Sequence, residues 1–168
     1  RALQDAGLAA SEARPYALGR LVLWRRGSAG VPPVLDELAT PEIRKVAIAN
    51  PRHAPYGKRA EEALRARGLW EKVEAKLVYG ENIAHTAQFV QTGNAELGFV
   101  ALSQVWKDGR LASGSGWVIP AGQHQPIRQD AVLLSRASGN PAARALLDTG
   151  MGVALEKFDL RHGLILSG

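Results

Sequence analysis

The chain contains no cysteine, a single methionine and few aromatic residues, which make up 6% of its 168 positions. Without cysteine it can have no disulfide framework, thiolate zinc site, iron–sulfur cluster or cysteine nucleophile. It also lacks the uninterrupted run of roughly 18 or more apolar residues that a membrane-spanning helix needs. With 46% hydrophobic and 22% charged residues, its composition is that of a globular protein of one or two domains.

Positive charge exceeds negative charge, with 21 Lys and Arg against 16 Asp and Glu, and this excess favours anionic partners. The basic residues are scattered and form no stripe, and no zinc-finger, RNA-recognition or basic-zipper motif is present, so we expect no nucleic-acid partner. The sequence also lacks the G-x-S-x-G elbow of hydrolases and the G-x-G-x-x-G loop of dinucleotide enzymes. Its four histidines lie far apart, which gives no metal-binding pair on one helix face.

Short apolar segments alternate with helical patterns along most of the chain. The segments predicted as strands are Tyr16–Trp24, Val46–Asn50, Lys76–Tyr79, Leu97–Leu102, Trp117–Ile119 and Asp130–Ser135. The segments predicted as helices are Lys58–Arg67, Ile83–Gln91, Ser103–Gly109, Pro141–Leu147 and Val153–Phe158. Two successive strand–helix–strand units predict a parallel sheet with helices on its faces, and therefore an α/β fold.

Two loops of this pattern are candidates for an anion site. The first, NPRHAPYG, runs from Asn50 to Gly57, and the second, GENI, runs from Gly80 to Ile83. Each follows a predicted strand and leads into a helix. Because the carboxyl ends of parallel strands meet at one edge, where helix N-termini present N–H groups, we expect both loops to face one small anion.

Tyr56 would contribute a hydroxyl donor to this anion, and the backbone N–H groups of Tyr56 and Ile83 would donate as well. These residues also have ordinary structural interpretations. The Tyr56 ring could pack under its loop, and Asn50 and Asn82 could be strand-end and helix-cap residues. Spacing alone leaves both interpretations open.

Several segments, in this order and spacing, resemble the periplasmic molybdate-binding proteins of ABC transporters: RLVLW, VAIANPRHAPYGKRAEEALRARG, KLVYGENIAHTAQFV, GNAELGFVAL, QPIRQDAVLLSR and NPAARALLD. The resemblance runs nearly end to end. It implies a type II periplasmic solute-binding fold, with a three-layer αβα lobe on a parallel or mixed sheet and one molybdate or tungstate ion in the interlobe cleft. It also implies a periplasmic protein that delivers this anion to an ABC permease, is not an enzyme and uses no cofactor.

The resemblance assigns the anion contacts to the two loops. Tyr56 stands where one branch of the family offers a tyrosine hydroxyl, and Ile83 stands where a branched aliphatic residue offers its backbone N–H. In another branch the tyrosine comes from the strand after E-L-G, where this sequence has Ala101, so Tyr56 is expected to be the single tyrosine ligand. Pro55 and Asn82 complete the predicted ligand-binding set, in which Tyr56 and Ile83 touch the molybdate oxygens.

The family pattern begins before this sequence does, since residue 1 is Arg and the family's first Ser- and Thr-rich ligand loops have no counterpart here. We therefore predict that residues 1–15 and 136–168 are the remnant of an incomplete lobe one and that residues 16–135 form lobe two, with hinge-crossing strands at its ends. The polypeptide would then continue upstream or complete itself by self-association. Two alternatives stay open: an anion-sensing effector domain of a transcription regulator, and a truncated relic that binds nothing.

Overall fold

The computed structural model describes residues 2–27, 32–145, 147–148, 158–159 and 164–165. The described residues form two compact units. One unit is Gly19–Ile127, and the other consists of the described residues before and after it. None of the described helices is long and apolar enough to cross a membrane. Both candidate loops belong to the Gly19–Ile127 unit.

The strands and helices have the following bounds. The strands are β1 (Arg14–Gly19), β2 (Leu21–Arg25), β3 (Val46–Ala49), β4 (Leu77–Gly80), β5 (Leu97–Ala101), β6 (Trp106–Lys107), β7 (Arg110–Leu111), β8 (Ser115–Val118), β9 (Ile127–Ala131), β10 (Phe158–Asp159) and β11 (Leu164–Ile165). The α-helices are α1 (Ala2–Asp5), α2 (Pro55–Ala66), α3 (Trp70–Val73), α4 (Ile83–Gln91) and α5 (Leu102–Val105), and residues 141–145 and 147–148 are also helical. Short 3-10 helices cover Leu35–Ala39, Glu74–Lys76, Ala121–Gln123 and Ser135–Ala137.

A five-stranded mixed sheet in the order β4-β3-β5-β2-β8 forms the centre of the Gly19–Ile127 unit. β3 is parallel to both β4 and β5, as the two strand–helix–strand units predict. β2 is antiparallel to β5 and to β8, so the sheet is mixed and not wholly parallel. The class is α/β, and the carboxyl ends of β3, β4 and β5 share one edge with the beginning of β2.

Apolar residues on both faces of this sheet make the core. On one face the strand side chains pack with α2, α3 and the first 3-10 helix in a single buried cluster. On the other face α4 lies so close that a Cβ on Gly98 would be 2.5 Å from Cγ2 of Val90. Helices therefore cover both faces of the sheet, which gives the predicted three αβα layers.

The second unit is built on short pairings between the beginning of the chain and its later part. β1 pairs with β9, and the Tyr16 hydroxyl lies 2.8 Å from Oε1 of Gln129. Ala9 forms an antiparallel bridge with Leu134. β10 and β11 form a separate antiparallel pair.

Two predicted strands differ substantially from the structure, whereas the other four differ by one or two residues at their ends. The single predicted strand Tyr16–Trp24 is two strands, β1 and β2, which are separated at Arg20 and belong to different sheets. The predicted strand Asp130–Ser135 is wrong beyond Ala131, where β9 ends. The chain leaves β9 because Leu133 donates its N–H to Oγ of Ser11 and accepts from the N–H of Ala10.

Three predicted helices also need correction. The first helix begins at Pro55 and not at Lys58. The predicted helix Ser103–Gly109 stops at Val105, and β6 and β7 then form a hairpin, because Asp108 and Gly109 take positive φ values of 52° and 78°, as an Asp-Gly hairpin turn requires. Of the predicted helix Val153–Phe158, residues 153–157 lie outside the described residues, and Phe158 is in β10.

Candidate functional site

β3 and β4 end side by side at the carboxyl edge of the sheet. Ala49 at the end of β3 is opposite Gly80 at the end of β4. The Asn50 N–H continues the pairing and donates to the carbonyl of Gly80 over 2.9 Å. The structure therefore brings the two candidate loops to the same edge.

Gly57 lets the N-terminus of α2 approach the end of β3 closely. A Cβ at this position would lie 1.9 Å from the carbonyl oxygen of Ala49 and 2.6 Å from its carbon. Both are backbone atoms that cannot move without displacing the strand. The absence of a side chain at Gly57 thus fixes the helix start against the strand end.

Pro55 occupies the first position of α2, where its missing N–H costs nothing because that group has no helical partner. The first helical bond runs from the N–H of Lys58 to the carbonyl of Ala54. The backbone N–H groups of residues 56 and 57 precede this bond and lie at the positive end of the helix dipole. Pro55 has no N–H to donate, so it shapes the helix start.

The Tyr56 side chain lies against Gly19, two residues before β2 begins. Its hydroxyl oxygen is 2.3 Å from the point that a Cβ on Gly19 would occupy, and Cγ2 of Ile127 is 3.0 Å from the same point. The ring is partly buried against the core cluster. Because Leu21 in β2 is opposite Ala101 at the end of β5, the hydroxyl lies near the carboxyl edge, so packing of the ring is compatible with a hydroxyl placed at this edge.

Asn82 is the N-cap of α4, which is the ordinary interpretation of this residue. Its Oδ1 accepts from the N–H of His85 over 2.9 Å, and its carbonyl accepts from the N–H and the hydroxyl of Thr86 over 3.1 and 2.9 Å. The cap does not use the N–H groups of Ile83 and Ala84, which precede the helical bonds. Ile83 therefore presents a backbone donor at this helix end.

Gly80 lets the end of β4 approach α4 closely, as Gly57 lets α2 approach β3. A Cβ on Gly80 would lie 2.6 Å from the hydroxyl oxygen of Thr86 and 2.8 Å from its backbone nitrogen, and Thr86 is fully buried. Sequence reasoning missed the roles of Gly57, Gly80 and Gly19. The available signal was that each glycine stands at a strand end or a helix start.

The donors proposed for this edge, which are the N–H groups of the two first turns and the Tyr56 hydroxyl, are electrically neutral, although the loops also carry the charged residues Arg52 and Glu81. Among the described side chains, no ion pair involves residues 50–54 or 80–83, and no group of three or more His, Cys, Asp or Glu in the described part of the chain could hold a metal ion. Two helix N-termini and a hydroxyl provide hydrogen-bond donors and a positive potential without a full countercharge. This arrangement suits a small oxyanion, which accepts hydrogen bonds from every direction.

A pocket of about 360 Å³ adjoins the first loop at Asn50–Arg52. Its other walls carry the carboxylates of Glu61 and Glu74 and the ring of Tyr79. Burial, followed by these two carboxylates, raises the pKa of the Tyr79 hydroxyl above its usual value. Two carboxylates against the single cation Arg52 disfavour an anion in this pocket.

Residues 1–149 match the family model described as bacterial extracellular solute-binding protein. The molybdate-binding protein ModA of Azotobacter vinelandii is 49% identical over 145 residues, which are 86% of this chain and 58% of that protein. The protein of the same name from Rhodobacter capsulatus is 46% identical over 134 residues, 79% of this chain and 51% of that protein. The chain therefore spans a little over half the length of these curated relatives.

Solved structures show the same likeness. The periplasmic molybdate-binding protein of Azotobacter vinelandii matches this fold with a TM-score of 0.78 and 28% sequence identity, covering 99% of this chain and 74% of that one. The predicted type II periplasmic binding protein fold is thereby confirmed.

Proposed function

The chain belongs to the bacterial extracellular solute-binding protein family, and we propose that it binds molybdate or tungstate and delivers the anion to an ABC permease. The names of its relatives in Azotobacter and Rhodobacter support molybdate as the ligand. The similar solved structure from Azotobacter is that of a periplasmic protein, which supports a periplasmic location. In this proposal the protein acts by binding and release without catalysing a reaction, and the anion is its cargo and not a cofactor.

The convergence of two helix N-termini at one sheet edge carries this proposal. Molybdate and tungstate are doubly charged and fully deprotonated near neutral pH, so each of their oxygens accepts hydrogen bonds. A site for them needs many donors, and a hydrogen-bond acceptor close to the anion would repel it. The first turns of α2 and α4 offer N–H donors, and the side-by-side ends of β3 and β4 hold these turns next to each other. Both helix dipoles add attraction for negative charge.

Within this site we assign the direct contacts to Tyr56 and Ile83. Tyr56 donates through its hydroxyl and its backbone N–H, and Ile83 donates through its backbone N–H. Pro55 and Asn82 act on the same anion indirectly, since Pro55 starts α2 and Asn82 caps α4. Because the contacting groups are neutral, charge selection is left to the helix ends.

We also propose that residues 16–135 act as lobe two of the binding protein, with the Gly19–Ile127 unit as its core, and that residues 1–15 and 136–168 belong to lobe one. The predicted contacts Tyr56 and Ile83 lie in the Gly19–Ile127 unit. This unit would therefore supply the Tyr56 hydroxyl and the two backbone N–H groups to the anion.

The proposal is tested by thermal unfolding of the 168-residue chain with molybdate, tungstate, sulfate or phosphate at matched ionic strength. A ligand at about 1,000 times its dissociation constant stabilises the folded state by roughly 4 kcal/mol. We expect the unfolding midpoint to rise with molybdate and tungstate and to stay at the control value with sulfate and phosphate. No rise with any anion would contradict the proposal and favour a relic that does not bind. An equal rise with all four would contradict the assigned ligand.

A further inference from the structure

Two histidine side chains contact the backbone of Glu81, the residue between β4 and the α4 cap. Nε2 of His53, which belongs to the first loop, lies 3.2 Å from the carbonyl oxygen of Glu81. Nδ1 of His85, in the first turn of α4, lies 3.4 Å from the backbone nitrogen of Glu81. Both peptide groups of Glu81 thus face an imidazole.

The chemistry of the peptide groups fixes the protons on the two rings. A carbonyl oxygen only accepts hydrogen bonds, so Nε2 of His53 must carry a proton. A backbone N–H only donates, so Nδ1 of His85 must be without one. The His85 ring is also stacked on Phe89 with a centroid distance of 4.5 Å, which restricts its rotation.

The contact of His53 is the only one of the two that joins the loops to each other. The Asn50 N–H already ties the first loop to Gly80, and His53 adds a second tie one residue further along the second loop. Two successive ties prevent the Glu81 peptide from rotating. The Ile83 N–H belongs to the same peptide as the Asn82 carbonyl, which Thr86 already holds in the helix. The tie at Glu81 therefore acts on where the first turn of α4 as a whole lies relative to the first loop.

We propose that His53 is a positioning residue, which fixes the donors of α4 relative to those of α2 for a tetrahedral oxyanion through its bond to the Glu81 carbonyl. This role rests on the proposed anion binding. The bond is long for a hydrogen bond to oxygen, so its effect on affinity is moderate. His53 itself does not touch the anion.

Three variants of the full chain test this role by calorimetric titration with sodium molybdate. H53A removes the donor, H53Q restores an N–H donor, and H124A removes a histidine whose hydrogen bond is to the adjacent Gln125 carbonyl. We expect H53A to bind about three- to tenfold more weakly, which is the range for one neutral hydrogen bond. H53Q should recover most of the affinity, and H124A should match the wild type.

Nuclear magnetic resonance of the anion-free chain gives a second readout that does not depend on molybdate. We expect Nε2 of His53 to be protonated and the Ile83 amide signal to move in H53A but not in H124A. A deprotonated Nε2 or an unmoved Ile83 amide would overturn the role of His53. Wild-type affinity in H53A would overturn this role alone, whereas failure of the wild type to bind molybdate or tungstate would overturn the proposed function.

Discussion

The two edges of the central sheet are held together by different chemistry. At the amino edge, charges are paired: Arg25 pairs with Glu37, and Glu96 pairs with Arg44 and accepts the Lys45 N–H over 2.7 Å. At the carboxyl edge, helix N-termini lie against strand ends that glycine leaves open. Charged side chains pair with each other at the amino edge, whereas two helix N-termini meet strand ends at the carboxyl edge.

This difference shows why positive charge alone does not mark an anion site. A pocket of about 360 Å³ at the amino edge is lined by Arg25, Arg26 and Glu96. Arg25 is already paired with Glu37, and Arg26 donates to the carbonyl of Gln91 at the end of α4. The cations of this edge are engaged within the fold, whereas the neutral donors of the carboxyl edge can serve a ligand. Changes at the amino edge should therefore alter stability without altering affinity, whereas changes to the donors at the carboxyl edge should alter affinity.

The largest effect is expected from Gly57→Ala. Alanine normally favours a helix over glycine by about 1 kcal/mol, but here its Cβ would meet the Ala49 carbonyl at 1.9 Å. We expect the free energy of unfolding to fall by about 3 kcal/mol, as measured by urea titration. Gly122→Ala is the control, because a Cβ on Gly122 meets nothing within 4 Å. Equal stability of the two variants would contradict the close approach of α2 to β3.

Tyr56→Phe should weaken molybdate binding by about 1–3 kcal/mol, because it removes a donor that faces charge. The ring remains, so packing against the core cluster should be preserved. Tyr79→Phe provides a matched control on an exposed tyrosine of the same unit. If calorimetry gives the same affinity for both variants, the Tyr56 hydroxyl is not a ligand.

Two substitutions of Asn82 separate its role as a cap from its place beside the anion. Asn82→Ala should lower the free energy of unfolding by about 1 kcal/mol through loss of the cap. Asn82→Asp should keep that stability, because aspartate caps equally well and suits the helix dipole. Its charge would repel the anion, however, and should reduce affinity by at least about tenfold. Unchanged affinity in Asn82→Asp would place the anion away from α4.

The smallest effect is expected at the amino edge, from Glu96→Gln. Burial alone would raise the pKa of Glu96, but hydrogen bonds from the backbone N–H groups of Lys45 and Glu96 and the charge of Arg44 outweigh it and lower the pKa below 4.5. A lowered pKa means that the ionised carboxylate stabilises the fold at neutral pH and that this contribution is lost as pH falls through the lowered value. At pH 7 the free energy of unfolding of the wild type should exceed that of Glu96→Gln by less than about 1 kcal/mol.

Urea titrations at several pH values test this dependence of stability on pH. The difference between wild type and Glu96→Gln should shrink as the pH falls below about 4.5, and molybdate affinity at pH 7 should be equal in both proteins. A loss of affinity in Glu96→Gln would contradict the claim that the amino edge contributes to stability and not to anion binding.

Local signals in the sequence predicted the start of α4 better than the start of α2. Asn82 is a strong N-cap residue, and α4 begins at Ile83 as predicted. α2 was predicted to begin after Gly57, although Pro55 is a typical first helical residue. Because of this shift, Tyr56 and Gly57 lie in the first turn of the helix and not in the preceding loop.

Pairings that are distant in sequence could not be predicted from local patterns. Nothing in the apolar run Tyr16–Trp24 reveals that its second half pairs antiparallel with β5 while its first half pairs with β9. The contact of Tyr56 with Gly19 likewise joins segments that only the folded sheet brings together. That the two candidate loops lie at one edge of the sheet was predictable, because β3 and β4 are parallel strands joined by a helix.

The most direct measurement is a titration of the ¹⁵N-labelled 168-residue chain with molybdate, followed by the chemical shift of each backbone amide. If two helix N-termini hold the anion, the largest shifts should occur at Tyr56, Gly57, Ile83 and Ala84, and Arg26 and Lys45 at the amino edge should stay unmoved. Shifts concentrated at Arg26 and Lys45, or saturable binding without shifts in the first turns of α2 and α4, would contradict this site.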